Sequence, residues 1–197
     1  MNERASLRAE QVAQTRQALI DAARTRFGAA GYAATSIDDI ARDARVTIGA
    51  LYHHFRTKAA LFEAVFEQAH AQMLEAVEAL ALRATTPAAV LTAAVDGFLD
   101  ALLDPASQRI LIIDAPAVLG VSRFTELDEK DAFGPLAEAI RASGLTARQP
   151  EVLARLMFGM LTRAGMLIAT AADPRQARDE IAATMSEIIL ALGPPSG

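Results

Sequence analysis

The sequence predicts an all-α chain, a small N-terminal unit of three helices followed by a larger helical part, and three observations predict it. No useful length alternates apolar and polar residues with period two. Val and Ile are scattered among Ala, Leu and Glu instead of gathering into strands, and apolar residues return every three or four positions between Gly and Pro punctuation. Val12, Leu19, Ala23 and Phe27 form one such stripe, which Gly28 and Gly31 bring to an end. Short helices are predicted after Thr35-Ser36 and after Val46-Thr47. From Thr57 a long helix runs to about Arg83, its core face marked by Phe62, Val65, Phe66, Ala69, Met73, Val77 and Leu80. Thr86-Pro87 and Asp173-Pro174 each set an N-cap beside a first-turn proline. Further helices are predicted at 87–103, 108–119, 123–142, 147–171 and 174–192, with a frayed tail at Gly193, Pro194 and Pro195 and a kink at Pro116. The natural division falls near residue 60, giving units 1–60 and 61–197.

Charge and composition narrow the function classes. A net charge of -5 argues, taken alone, against a polyanionic partner, because neutralising phosphate needs concentrated Lys and Arg. The distribution of charge points the other way. Residues 1–60 hold nine Lys/Arg and six Asp/Glu, a balance of +3, whereas residues 61–197 hold ten and eighteen, a balance of -8. Such a chain would be oriented on a polyanion with its acidic part facing away. Glu75, Glu78, Arg109 and Asp114 interrupt the apolar runs before the ~20 residues that a bilayer crossing needs. The charged opening MNERASLRAE has no apolar export stretch, so a cytoplasmic protein without a membrane partner is expected. The absence of cysteine excludes disulfides, thiol catalysis and thiolate metal sites, and neither a metal nor a cofactor is expected.

Most of the functional information lies between residues 35 and 62. Ser36 with Asp39 three residues on is a capping-box pattern, and Ile37, Ile40 and Ala41 give the helix that follows an inward face. A turn around Ala44 to Val46 leads to Thr47, a good N-cap for a helix covering Ile48 to His54. So short a helix must be held by packing, with Val46, Leu51 and Phe55 as anchors. Its outer side is left with Thr47, Ile48, Gly49, Ala50, Tyr52 and His53, a small, hydroxylic and flat set suited to a groove. Gly49 costs roughly 1 kcal/mol inside a helix, which a close backbone approach to DNA would justify. Tyr52 and His53 can donate to phosphate oxygens, while Thr47, Ile48 and Ala50 can meet base edges or thymine methyls. Lys58, a cation in the first turn of the next helix, opposes the macrodipole unless an anion docks there.

From about Thr15 to Phe66 the chain resembles the DNA-binding domain of the TetR family of bacterial transcriptional regulators. The resemblance is carried by Thr35, Ser36, Ile40, Ala41, Gly49, Leu51, Tyr52, His54, Phe55, Lys58 and Leu61. It implies phosphate contacts for Thr35, Tyr52, His53 and Lys58, and base contacts for Thr47, Ile48 and Ala50. Thr35 and Thr47 also suit plain helix caps, and Tyr52 a packed ring. Arg45 departs from the pattern, standing where the family usually has glycine. A left-handed turn would strain Arg45 by about 1–2 kcal/mol, so either the turn relaxes or the side chain gains a partner such as a phosphate.

Beyond Phe66 the resemblance thins. The stretch from 147 to 171 carries apolar residues on more than one face, among them Val152, Leu156, Met157, Met160, Leu161, Leu167 and Ile168, so both sides are expected to be buried. One face would line the subunit core and another meet a second copy, with Gly159, Ala164 and Gly165 allowing close approach. The last helix offers Ile181, Met185, Ile188, Ile189 and Leu192 as a matching stripe, and the resemblance implies a homodimer built on these two helices. A two-fold dimer predicts a palindromic double-stranded operator. Candidate ligand residues for a small, apolar effector are Phe98, Leu102, Ile113, Asp114, Phe124, Phe133, Met157, Met160 and Met166, because Phe and Met make adaptable linings. The reading is thus a non-enzymatic repressor that a small molecule releases from its operator. Two others compete with it: a DNA-binding regulator controlled by a protein partner without a ligand pocket, and a small helical enzyme using Asp100 and Asp104.

Overall fold

A computed structural model describes residues 3–143, 145 and 149–192, and among them every regular element is helical. The elements are α1 (Glu3–Ala30), α2 (Ile37–Asp43), α3 (Ile48–His54), α4 (Lys58–Ala81), α5 (Pro87–Ala101), α6 (Pro105–Ser107), a π-helical segment (Gln108–Asp114), α7 (Ala115–Leu119), α8 (Val121–Ala142), α9 (Pro150–Thr170) and α10 (Pro174–Ala191). The expected tail at 193–195 and the expected helix start at 147 lie outside the described residues.

Local chemistry explains most of the starts. The side chains of Ser36, Thr47, Thr57, Thr86 and Asp173 accept from backbone N–H groups in the first turns of α2, α3, α4, α5 and α10. The expected helix at 108–119 is instead two pieces, the π segment and α7, preceded by the short α6. Asp104 caps α6 by accepting from the Ser107 N–H at 3.0 Å, the chain then widens into the π segment, and α7 follows. Pro116 accounts for the widening: it has no N–H, its ring would strike the carbonyl four residues back, and one extra residue in the turn accommodates both. The expected kink at Pro116 thus takes the form of a π turn immediately before it.

Two packed clusters organise the chain. The first joins Leu19, Phe27, Ile40, Leu51, Phe55, Leu61, Phe62 and Val65 with Ile110 and Ala115, so the head formed by α1, α2 and α3 is welded to the start of α4 and to the π segment. Leu61 and Phe62 belong to this core, and α4 therefore straddles the expected division at residue 60. Val12 does not belong to it: 47% exposed, it lies on the part of α1 that outruns the rest of the head. The second cluster joins α5, α8, α9 and α10 through Leu91, Leu99, Ile140, Met157, Leu161, Ile168, Met185 and Ile189. Arg178 of α10 clamps α5 by donating to Asp96 at 2.8 Å and Asp100 at 2.7 Å. By length and composition α9 is apolar enough to cross a membrane, contrary to the expectation that charges break every such run. Its Ala154, Met157, Leu161, Ala164, Gly165 and Ile168 are buried in the bundle.

Candidate nucleic-acid interface and internal cavity

The turn between α2 and α3 is a Schellman motif. Val46 N–H bonds the Ala41 carbonyl at 2.9 Å, Arg45 N–H bonds the Arg42 carbonyl at 3.1 Å, and Arg45 adopts a φ of 57°. The turn keeps the left-handed geometry that glycine would favour, and Arg45 bears the strain with its side chain exposed. Arg45→Gly is expected to stabilise the free chain by about 1 kcal/mol and to weaken operator binding. Paired denaturation and binding titrations check both signs; lower stability, or unchanged affinity, would remove the role proposed for Arg45.

Around this turn the head is braced. Arg26 of α1 donates to both oxygens of Asp43, at 2.6 and 3.0 Å, tying α1 to the end of α2. Asp39 is held below its ordinary pKa, first by the hydroxyl of Ser36 and then by Arg42. Leu51 is fully buried and Phe55 nearly so, which leaves Thr47, Ile48, Gly49, Tyr52 and His53 exposed and Ala50 half-buried on one outward face of α3. Ile48 is 45% and Tyr52 48% exposed, so the packed reading of Tyr52 fails. A Cβ on Gly49 would meet nothing nearer than the Thr47 hydroxyl at 4.0 Å. No contact among the described residues therefore requires glycine there.

Lys58 opens α4 with its ammonium 4.2 Å from the centre of the Tyr32 ring. Burial pulls its pKa down, and the nearby Asp114 carboxylate works in the opposite sense. Ser36 is exposed but serves as the cap of α2, bonded to Asp39. Thr35 requires a correction. It is 4% exposed, and its hydroxyl donates to the Gly31 carbonyl at 2.8 Å, so it closes the end of α1 and offers nothing to a phosphate.

The second site is a partly open cavity of about 340 Å³ lined by α4, α5, the π segment, α8 and α9. Met73, Leu74, Val77, Val95, Phe98 and Phe158 are among its apolar walls, and four alanines (Ala81, Ala94, Ala132 and Ala139) leave the space open. Of the nine expected ligand residues only Phe98 lines it. Leu102 and Met157 are fully buried in the two cores. Met160 and Met166 pack on those cores from outside, and Ile113 is 48% exposed. Phe124 sets its edge on Phe66 at 5.9 Å, and Phe133 lies under the Arg155 guanidinium at 4.6 Å. Asp114 accepts from the Tyr32 N–H at 2.8 Å and serves the junction with the head. Sequence reasoning passes over His70, Asp128, Asp131 and Glu78, all of which line the cavity. The available signal is His70 itself, a polar residue between Ala69 and Met73 on the core face of α4.

Asp100 and Asp104, the pair considered for catalysis, are committed elsewhere, Asp100 to Arg178 and Asp104 to the cap of α6. Two short helices about a Schellman turn, the second presenting an open outward face beside a cation, define a helix-turn-helix DNA-binding protein. Residues 19–65 match the family model for bacterial regulatory proteins of the tetR family, and residues 88–192 match that for the tetracyclin repressor-like C-terminal domain. A crystal structure of a TetR-family transcriptional regulator from Pectobacterium atrosepticum superposes with a TM-score of 0.80 at 31% identity, covering 93% of this chain and 96% of that one. The transposon Tn10 TetC protein of Escherichia coli is 29% identical over 76% of this chain and 78% of its own length. The regulator TtgR of Pseudomonas putida is 43% identical over 61 residues, which cover 31% of this chain and 29% of that protein. The chain belongs to the TetR family of DNA-binding transcriptional regulators and is not an enzyme.

Proposed function

We propose that the protein is a cytoplasmic, homodimeric repressor that a small apolar effector releases from a palindromic operator. One observation carries the proposal: the elements that wall the cavity are those that hold the reading head. α4 contributes Lys58 to the head and His70, Met73, Leu74, Val77, Glu78 and Ala81 to the cavity. The π segment contributes Leu111 and Ile112 to the cavity, and its last residue, Asp114, grips Tyr32 at the end of α1. A ligand that shifts either element disturbs the head directly, and a coupling of about 1–3 kcal/mol suffices to release an operator. The cavity also favours this reading over control by a protein partner acting on a filled core.

The base contacts fall to Thr47, Ile48 and Ala50, with Gly49 admitting the backbone to the groove. The phosphate contacts fall to Tyr52, His53, Lys58 and Arg45. Dimerisation is supported by a second apolar stripe on α9, opposite its buried face. Val152, Leu156 and Leu167 on that stripe are 48%, 63% and 45% exposed in the isolated chain, with Gly159 between them. Gly165 serves the subunit instead, since a Cβ there would come within 2.8 Å of Leu102. The stripe predicted on α10 faces mostly inward, with Met185 and Ile189 buried and Leu190, 77% exposed, on the outside. A two-fold dimer would set the two α3 helices about 34–36 Å apart, one turn of the major groove.

Binding titrations against operator and unrelated duplexes test the phosphate contacts. Tyr52→Phe is expected to weaken both about tenfold, the loss of one hydrogen bond to a charged group. Lys58→Ala is expected to lower the slope of log affinity against log salt by about one. Wild-type behaviour in both variants would remove these assignments.

A further inference from the structure

We propose that the cavity is built for an apolar molecule carrying a protonated amine, whose N–H groups are received by Asp128 and by Nε2 of His70. The inference rests on the ligand-sensing reading above and names the class of ligand.

His70 is the central observation. It is 3% exposed and lines the cavity, its ring stacked on Phe66 at 5.6 Å with an 8° tilt between the planes. Its Nε2 is buried and has no hydrogen-bond partner among the described residues. The Asp128 Oδ1 stands 3.4 Å away without the alignment that a hydrogen bond requires, and the Asp128 side chain is itself 17% exposed. A buried imidazole nitrogen left unpaired is costly, and a donor placed between it and Asp128 removes that cost.

The charge around the cavity decides which donor. Three acidic residues are among its lining, Asp128 half-buried and Asp131 and Glu78 at exposed positions, and among the described residues no Lys or Arg is. Lys130 lies on a separate small cleft behind His70, beside Glu67 and Asp131. Pro135, also in the wall, has no N–H, so the Asp131 carbonyl lacks its usual donor four residues on. The polar part of the cavity is therefore rich in acceptors and negatively charged; apart from Thr162, whose hydroxyl donates to the Phe158 carbonyl at 3.2 Å, the remaining wall is hydrocarbon. A ligand carboxylate would meet repulsion there. A neutral hydroxyl can satisfy His70 but leaves the Asp128 charge unpaired, whereas an ammonium serves both.

A matched series separates these cases: 4-phenylbutylamine, 4-phenylbutan-1-ol and 4-phenylbutanoate, titrated calorimetrically into the full chain. The amine is expected to bind about tenfold tighter than the alcohol or better, and the carboxylate more weakly than either. Asp128→Asn should bring the amine down to the level of the alcohol while alcohol binding is kept, which also reports an intact fold. The double variant Glu78→Gln/Asp131→Asn, altered only at exposed positions, should reduce the amine preference severalfold. Tightest binding by the carboxylate, equal binding of amine and alcohol by the wild type, or an amine preference untouched in both variants would overturn the proposal. If the alcohol binds as tightly as the amine and releases operator DNA, the amine class falls while the ligand-sensing reading stands. If none of the three binds, both fall.

Discussion

Phe62→Ala is expected to destabilise the chain by about 3–5 kcal/mol, a large share of the ~5–15 kcal/mol that holds an ordinary domain folded. Phe62 has no exposed surface and stands where three elements converge. Its ring packs T-shaped against Phe27 of α1 at 5.3 Å and against Tyr32, in the turn after α1, also at 5.3 Å, while Phe27 and Tyr32 lie 5.6 Å apart. Truncation empties the centre of this triangle and forfeits two aromatic contacts beyond the buried area. Function should fail with it, because Tyr32, which carries the Lys58 ammonium, loses its packing on Phe62. Phe62→Leu keeps much of the volume and should lose less than about half as much. Urea denaturation followed by circular dichroism measures both, and a loss below about 1 kcal/mol for Phe62→Ala would contradict the role given to this cluster.

The second large effect concerns assembly. Leu156 and Leu167 lie eleven residues apart on α9, about 20° from one another around the helix, on the exposed apolar side. Changing both to aspartate adds charge where the isolated chain has no core to disturb, so each subunit should still fold. In a two-fold interface each substitution is felt twice. In light scattering the wild type is expected to run as a dimer and the double variant as a monomer. Operator affinity should drop by about 10²–10⁴, since two half-site contacts no longer share one molecule. A wild type that is monomeric at micromolar concentration, or a variant that stays dimeric, would discard α9 as the interface.

How much of this is legible in the sequence follows from the range of the forces involved. Caps are local, and Ser36, Thr47, Thr86 and Asp173 all act where their spacing predicts. The left-handed turn at Arg45 is visible as a residue out of place, and the outward face of α3 follows from the burial of Leu51. Thr35 misleads because a hydroxyl that closes α1 and one that grips a phosphate have the same sequence signature; only the Gly31 carbonyl at 2.8 Å separates them.

The cavity is not legible. Phe and Met suggest a lining by their bulk, yet bulky residues such as Met157 fill space and so end up in the cores. A void forms where facing helices carry short side chains, as at Ala81, Ala94, Ala132 and Ala139. Which alanines face one another is set by tertiary packing, not by any local pattern. The π segment is hidden for a related reason, since the i→i−5 turn depends on how Pro116 is packed as well as on its presence.

Selection of bound sequences from a pool of random duplexes, using the full chain without effector, tests the reading head most directly. The expected result is enrichment of one inverted repeat whose half-site centres lie about 10 base pairs apart or a multiple of that, with the preferred bases changed by Ile48→Ala and left alone by Tyr52→Phe. Enrichment of no sequence, or a preference that Ile48→Ala leaves intact, would contradict recognition through α3.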